Sequence, residues 1–270
     1  MRFKDRVVVV TGAARGIGEA IAGRFAEEGA AVLLADIADS VYSTAEKLTA
    51  RGLKASAVVA DISRAEGIQK MIGAALGAFG RLDVLVNNAG IQIRCPSIDF
   101  QGSDWDKVMD VNLKAVFFCS QAAAKVMMSQ GGGAIVNLSS ATCTNTTPGR
   151  APYVISKAGV VALTAVLGAE WAPFGIRVNA VCPGWIATQM VRDGIRLGVI
   201  REQEILAVTP LQRLASEVEI ANAIVYLASD EASFIVGQSL FVDGGWSVLG
   251  IPQRLNETTS TPQREVRSGE

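Results

Sequence analysis

Short apolar runs rich in β-branched residues alternate with longer Ala-, Gly- and Leu-rich stretches from residue 6 to about residue 242. The runs at 7–10, 31–36, 55–60, 84–87, 134–138, 177–181 and 239–242 are continuous rather than alternating. A strand covered by helices on both faces needs apolar side chains at odd and even positions alike, so this pattern predicts buried parallel strands. Right-handed crossovers then give an α/β fold, a doubly wound seven-stranded parallel sheet with helices on both faces. No linker, charge block or internal repeat interrupts residues 1–250, which read as one domain.

Two predicted helices, 113–128 and 151–171, are apolar around most of their circumference. A helix apolar on all faces must be buried on all faces, and one sheet covers only one side. The expectation is a homo-oligomer in which these helices meet a second subunit. The segment 251–270 carries only Ile251, Leu255 and Val266 as aliphatic residues and reads as a polar tail outside the core, mobile unless a neighbouring subunit orders it.

Composition narrows the chemistry. The 270 residues carry 25 Lys+Arg against 26 Asp+Glu, a formal net charge of −1, which argues against nucleic acid or an acidic membrane surface as partner. No run approaches the roughly 18 unbroken apolar residues of a membrane span, and no signal-peptide core is seen, so a cytoplasmic protein is expected. Cys95, Cys119, Cys143 and Cys182 lie far apart and read as free thiols, with no metal cage. The chain has no histidine. That removes Ser-His-Asp and Cys-His nucleophile systems and most zinc sites, leaving acid–base work to Tyr, Lys, Cys, Asp or Glu.

Directly after the first run comes TGAARGIG, with Gly12, Gly16 and Gly18 and then a helical stretch. Glycines at a strand-to-helix turn admit a pyrophosphate close to the backbone, facing the N–H groups of the helix N-terminus; they also serve plain loop geometry. Asp36 ends the second run, eighteen residues beyond Gly18. A carboxylate there accepts from adenosine ribose hydroxyls and repels a 2′-phosphate, and Ile37 beside it offers that phosphate no charge. The expectation is NAD rather than NADP, with Arg15 as the one residue pointing the other way. The alternative for Asp36 is a cap for the helix beginning near Asp39.

Tyr153 and Lys157 are four residues apart on a predicted helix and therefore share a face. A cation beside a phenol favours phenolate, which would supply the base that histidine supplies elsewhere. The alternative is a surface tyrosine beside a solvated lysine.

Taken together, TGAARGIG at 11–18, Asp61, NNAG at 87–90, Asn112, Ser140, YVISK at 153–157, PGWIAT at 183–188 and VDGG at 242–245 resemble the short-chain dehydrogenase/reductase family over residues 4 to about 246. The likeness extends to bacterial NAD-dependent sugar and polyol dehydrogenases. The resemblance implies a Rossmann-type fold, a tetramer, and hydride transfer between an alcohol or ketone substrate and nicotinamide. It implies Tyr153 as general acid/base, Lys157 lowering its pKa and holding the nicotinamide ribose, and Ser140 bonding the substrate oxygen. Asn112 would open a helix enough to hold a water in a proton relay. Gly12, Arg15, Gly16, Ile17, Gly18 and Asp36 would bind the cofactor, with Asp61 and Ile62 at the adenine and Asn88, Ala89 and Gly90 along the adenosine. Pro183, Gly184, Ile186 and Thr188 would hold the carboxamide. Plain readings remain beside these: Ser140 as a loop cap, Asn112 as a helix N-cap, Pro183-Gly184 as a turn.

Substrate choice would rest on the segments after NNAG, before Tyr153 and after PG, which contain Gln92, Arg94, Thr142, Asn145, Arg150, Trp185, Arg192 and Arg196. The arginines read individually as solvated charges. Read with Ser140, Thr142, Tyr153 and Trp185, they make a pocket for a polyhydroxylated substrate, a sugar, sugar acid or cyclic polyol, with Arg94 or Arg150 pairing a carboxylate or sulfonate where the substrate is anionic. Two rivals stand: a 3-oxoacyl-thioester reductase, usually NADPH-linked in similar sequences, and a non-catalytic dinucleotide-binding protein.

Overall fold

Four consecutive valines cannot all face one side of a sheet. In the computed structural model, which describes residues 1–146 and 148–249, Val8 and Val10 enter the apolar layer on one face and Val9 the layer on the other. Val32 and Leu34 split from Leu33 in the same way, as do Val84 and Val86 from Leu85. This is why the runs are continuous.

The strands are β1 (Val7–Thr11), β2 (Ala31–Asp36), β3 (Ala55–Val59), β4 (Val84–Asn87), β5 (Gly133–Leu138), β6 (Ile176–Pro183) and β7 (Ser239–Val242). They form one parallel sheet in the order β3-β2-β1-β4-β5-β6-β7. Its register lines up Leu33, Val9, Leu85, Ile135 and Val178, all fully buried, in one row across five strands. A one-residue slip in any of them would send that row to the opposite face.

The helices are α1 (Gly16–Glu27), α2 (Val41–Ala50), α3 (Ala65–Phe79), α4 (Gly102–Met109), α5 (Ala115–Ser129), α6 (Ala151–Trp171), α7 (Gln189–Arg196), α8 (Glu202–Ala207) and α9 (Glu217–Ala228). Helices α1, α2 and α9 cover one face of the sheet, and α3, α5 and α6 cover the other. The strand bounds match the apolar runs, with small differences. Ala60 falls just past β3, and β6 runs beyond the predicted 177–181 at both ends, to Pro183. The helix expected at 113–128 is longer. Helical backbone runs from Gly102 through a π-helical turn at Asp110–Lys114 into α5, so Asn112 sits inside it and is no N-cap.

With the turn after it, α6 is long and apolar enough to cross a membrane by composition. Here its Lys157, Thr164, Leu167 and Gly168 are buried in the layered fold. Its other side leaves Ile155 and Val166 about half exposed, and α5 leaves Phe118 and Met128 partly so. The tail at 251–270 lies outside the described residues.

Gly168 shows how closely α6 approaches the sheet. A Cβ there would stand 2.8 Å from Gly237 N and 2.9 Å from Gly237 Cα, both backbone atoms that cannot swing aside. Gly168→Ala should lower stability by about 1–3 kcal/mol, read as a reduced urea midpoint at unchanged slope; an unaltered midpoint would show that this packing tolerates a methyl group.

Candidate active site

The strand order reverses between β1 and β4, so a crevice opens at their C-terminal ends, the position where doubly wound sheets bind ligands. The Gly-rich turn after β1 and the NNAG segment after β4 form its walls and are stitched together. Asn88 Nδ2 donates to Thr11 O at 2.8 Å and to Gly12 O at 2.9 Å, while Thr11 Oγ1 accepts from the backbone of Asn88 and Ala89. Gly12 has φ +65°, and a Cβ on it would stand 2.8 Å from Ala89 Cα. Gly16, at φ +60°, faces open space instead. No side chain caps α1, so its first N–H groups point into the crevice beside Gly16, Ile17 and Gly18. An uncapped helix N-terminus behind an open glycine fits a pyrophosphate.

At the tip of β2, Asp36 Oδ2 accepts from Ala14 N and Oδ1 from Ala38 N, both at 3.0 Å. It ties the Gly-rich turn to β2 and does not cap α2, which begins at Val41 behind Ser40. Its neighbour Ile37 is exposed, as is Arg15. Asp61 accepts from Ser63 N and Oγ and pairs with Arg64 at 3.4 Å, making it a turn residue, while Ile62 is buried next to it.

The sequence candidates for chemistry converge on the other side of the crevice. Tyr153 lies in the first turn of α6, with Arg150 before it and Pro152 inside that turn. Lys157, one turn on, is buried, and its Nζ donates to Leu138 O at 2.7 Å. Ser139 Oγ donates to Lys157 O at 2.8 Å. Ser140 caps a short 3-10 turn, its Oγ accepting from Thr142 N at 3.2 Å and Thr142 Oγ1 at 3.0 Å. Asn112 grips Ile91 through both amide atoms, accepting at 2.8 Å and donating at 2.9 Å, and donates to Ser156 Oγ at 3.2 Å. Ser156 Oγ in turn donates to Tyr153 O at 2.7 Å. The π-helical turn thus aligns the Asn112 amide with both the NNAG segment and α6.

In the cofactor-free protein the electrostatics of Tyr153 involve other neighbours than Lys157. Burial raises the Tyr153 phenol above its ordinary value, and the groups that oppose this are the Ser140 hydroxyl and the Arg150 guanidinium. Lys157 is not among them: its Nζ lies 5.8 Å from the centre of the Tyr153 ring and is committed to Leu138 O. Burial lowers Lys157 itself to about 8, with Cys182 opposing.

Around this pair the substrate segments meet. The Arg150 guanidinium lies over the Trp185 ring at 5.5 Å, and Arg94 stands close enough to Arg150 to repel it. Cys95 N donates to Gly149 O at 3.0 Å, joining the two loops. Arg192 and Arg196, in contrast, are paired with Glu217 and Asp193. Pro183 ends β6 rather than forming a turn, and a Cβ on Gly184 would stand 2.8 Å from Asp243, so the PG and VDGG segments pack on each other. Ile186 pairs with Ala215, and Thr188 caps α7 by accepting from Val191 N at 3.4 Å.

Comparison with known proteins agrees with this layout. A family model described as enoyl-(acyl carrier protein) reductase matches residues 12–247. The 3-oxoacyl-[acyl-carrier-protein] reductase FabG of Staphylococcus epidermidis is 40% identical over 243 residues, covering 89% of this chain and 98% of its own. The crystal structure of gox2181 superposes with a TM-score of 0.88 at 37% identity, covering 92% of this chain and 97% of that one. A protein of Agrobacterium tumefaciens provisionally named a gluconate dehydrogenase gives 0.87 at 35% identity, covering 91% and 97%. The chain belongs to the short-chain dehydrogenase/reductase family.

Several residues of this short-chain dehydrogenase/reductase site carry no motif of their own. Ser139, Ser156 and Thr11 position its neighbours through their side-chain hydroxyls. Their signal in the sequence is only adjacency to Ser140, to Lys157 and to the Gly-rich turn. A cavity of about 230 Å³ lies at the opposite end of the sheet, where β1, β4, β5 and β6 begin. Its arginines are spent on structure: Arg6 and Arg81 on buried Asp83, Arg2 on Glu28, and Arg177 on the carbonyls of Leu227, Ala228, Ser229 and Ala232.

Keeping Lys157 charged in the core costs stability. Its value of about 8, against 10.5 for a free lysine, amounts to about 3 kcal/mol. The penalty is fully present below pH 8 and fades as pH rises toward 10.5. Lys157→Met should therefore stabilise the cofactor-free protein at pH 7 by about 1–3 kcal/mol, part of the gain being lost with the bond to Leu138 O. The gain should shrink by pH 10. Urea unfolding at both pH values measures it, and destabilisation at pH 7 would contradict it.

Proposed function

We propose that this protein is an NAD-dependent dehydrogenase of polyhydroxylated secondary alcohols: sugars, sugar acids or cyclic polyols. The observation carrying the substrate class is the polar surround of the Ser140–Tyr153 pair, built from Thr142, Arg150, Arg94 and Trp185. Hydroxyl, guanidinium and indole groups reward a substrate with several oxygens. The preference for NAD rests on the Asp36 carboxylate at the tip of β2 with exposed Ile37 beside it.

In the chemistry this supports, the bound nicotinamide supplies the hydride acceptor or donor. Gly12, Arg15, Gly16, Ile17 and Gly18 would face the pyrophosphate and Asp36 the ribose. Asp61, Ile62, Asn88, Ala89 and Gly90 would line the adenosine side, with Pro183, Gly184, Ile186 and Thr188 toward the carboxamide. Ser140 presents its hydroxyl to the substrate oxygen. Tyr153, as phenolate, takes the proton from the alcohol hydroxyl and, as phenol, returns it to the ketone oxygen in reduction. Lys157 has N–H groups left beyond its bond to Leu138 O, available to a nicotinamide ribose and to a proton relay past Asn112. The half-exposed apolar faces of α5 and α6 support assembly into a homo-tetramer.

A second reading, reduction of 3-oxoacyl thioesters, is favoured by the name of the FabG relative at 40% identity. Fold and overall identity do not fix the substrate, whereas the groups around the reacting carbon select it.

Tyr153→Phe should reduce turnover at least a thousand-fold while NADH affinity, followed by fluorescence titration, stays within a few-fold. Full activity in that variant would remove the mechanism. A panel of sugars, aldonates, sulfosugars, cyclic polyols and an acetoacetyl thioester, run with both cofactors, should give a polyol with NAD the highest kcat/KM. Thioester reduction as the dominant activity would establish the second reading. Asp36→Ala combined with Ile37→Arg should move the NAD-to-NADP ratio of kcat/KM at least ten-fold toward NADP.

A further inference from the structure

Almost every arginine of the described residues has a partner. Arg2, Arg6, Arg24, Arg51, Arg64, Arg81, Arg192, Arg196, Arg201 and Arg213 are ion-paired. Arg177 bonds four backbone carbonyls. Among the described residues only Arg15, Arg94 and Arg150 have no carboxylate or carbonyl, and all three border the crevice. Arg15 adjoins the Gly-rich turn. Arg94 and Arg150 lie together on the substrate side, where they repel each other.

Arg94 is exposed, and its charge is felt at half-buried Arg150, where water screens it less and an anion would relieve the repulsion. Arg150 is also partly buried and held flat over Trp185 at 5.5 Å, just ahead of Tyr153 on the chain. A guanidinium stacked on an aromatic face keeps its N–H edges free and fixed in direction, an arrangement that suits the oxygens of an acidic group. Loop contacts alone would not require this, since the loops are already joined by the Cys95–Gly149 backbone bond.

We propose that Arg150 and Arg94 form an anion subsite beside Tyr153, and that the substrate carries a carboxylate, sulfonate or phosphate ester on its polyhydroxylated chain. The inference rests on the reading of this protein as a polyol dehydrogenase. Arg150 is the specificity-determining residue, Trp185 its positioning residue, and Arg94 the second charge.

The test pairs kinetics with direct binding. Oxidation of an aldonate is compared with that of the neutral polyol of the same carbon chain. In parallel, the aldonate, a sugar sulfonate and a sugar phosphate are titrated calorimetrically into the enzyme–NADH complex, which separates the three acid chemistries. Arg150→Gln should lower the acid-to-neutral ratio of kcat/KM ten- to a hundred-fold and weaken binding of the preferred acid by a similar factor. Arg94→Gln should do so three- to ten-fold. Arg150→Lys, which keeps the charge and loses the stacked plane, should fall between wild type and Arg150→Gln. Because Arg150 also favours the phenolate of Tyr153, the acid limb of the oxidation profile, where activity rises as Tyr153 loses its proton, should move to higher pH in Arg150→Gln, a change that mere loop disorder would not produce. Unchanged ratios and affinities in both Gln variants, each with a melting temperature like wild type, would overturn the subsite. Neutral polyols oxidised without acid preference would do the same while leaving the polyol reading intact. An acid bound through Arg150 without turnover of any polyol would keep the subsite and remove that reading.

Discussion

The site depends on a cation placed where a protein would ordinarily not put one. Lys157 is buried with its ammonium on a single backbone carbonyl, that of Leu138 at the end of β5. A buried charge is costly unless its partner is held in place, and the strand end holds it. Leu138 is fixed by the sheet register, Ser139 reaches back to the carbonyl of Lys157, and Ser140 follows immediately as the hydroxyl beside Tyr153. Three consecutive residues thus anchor the lysine, clamp its helix and place a hydroxyl beside Tyr153. The close approach of Gly168 to Gly237 fixes the far end of the same helix.

The dinucleotide side follows from the sheet. Reversal of strand order between β1 and β4 leaves two loop ends with no strand between them. The Asn88 amide and the Thr11 hydroxyl use the polar backbone of both ends and leave the first turn of α1 open. Asp36 belongs to this frame as much as to any ligand, because its two oxygens hold Ala14 and Ala38. A carboxylate already fixed by two N–H bonds is a preorganised acceptor for ribose hydroxyls, with little ordering entropy left to lose on binding.

The strands were legible because burial on both faces writes itself as unbroken apolar runs, and Tyr153 with Lys157 because helical spacing converts directly into a shared face. The π-helical turn at Asp110–Lys114 has no periodicity signal of its own, and only the family resemblance, which implies that Asn112 opens a helix, points to it. The sequence marks Arg94 and Arg150, and not Arg192, as candidates for a substrate pocket, but only the fold gives Arg150 a Trp185 ring and Arg192 a Glu217 carboxylate. Asn88 and Asp61, cofactor contacts by resemblance, also make framework bonds through Asn88 Nδ2 and Asp61 Oδ1 that spacing does not reveal. Spacing reports which side chains share a face, but a pair formed between distant loops has no period to reveal it.

The absence of histidine acquires its physical meaning here. With no imidazole in the chain, proton transfer falls to a phenol that burial holds above its ordinary pKa. In the cofactor-free protein the groups pulling it down are the Ser140 hydroxyl, through a hydrogen bond, and the Arg150 charge, while the Lys157 ammonium is turned toward Leu138 O. In the proposed mechanism, a base tuned by groups that would also touch the ligand cannot keep one pKa through a catalytic cycle. An acidic group seated on Arg150 would cancel part of that pull and push Tyr153 back toward phenol, while a positive charge arriving on the cofactor side would restore phenolate. Proton affinity in this site is therefore a property of the loaded complex, and recognition of the substrate and activation of the base draw on the same guanidinium.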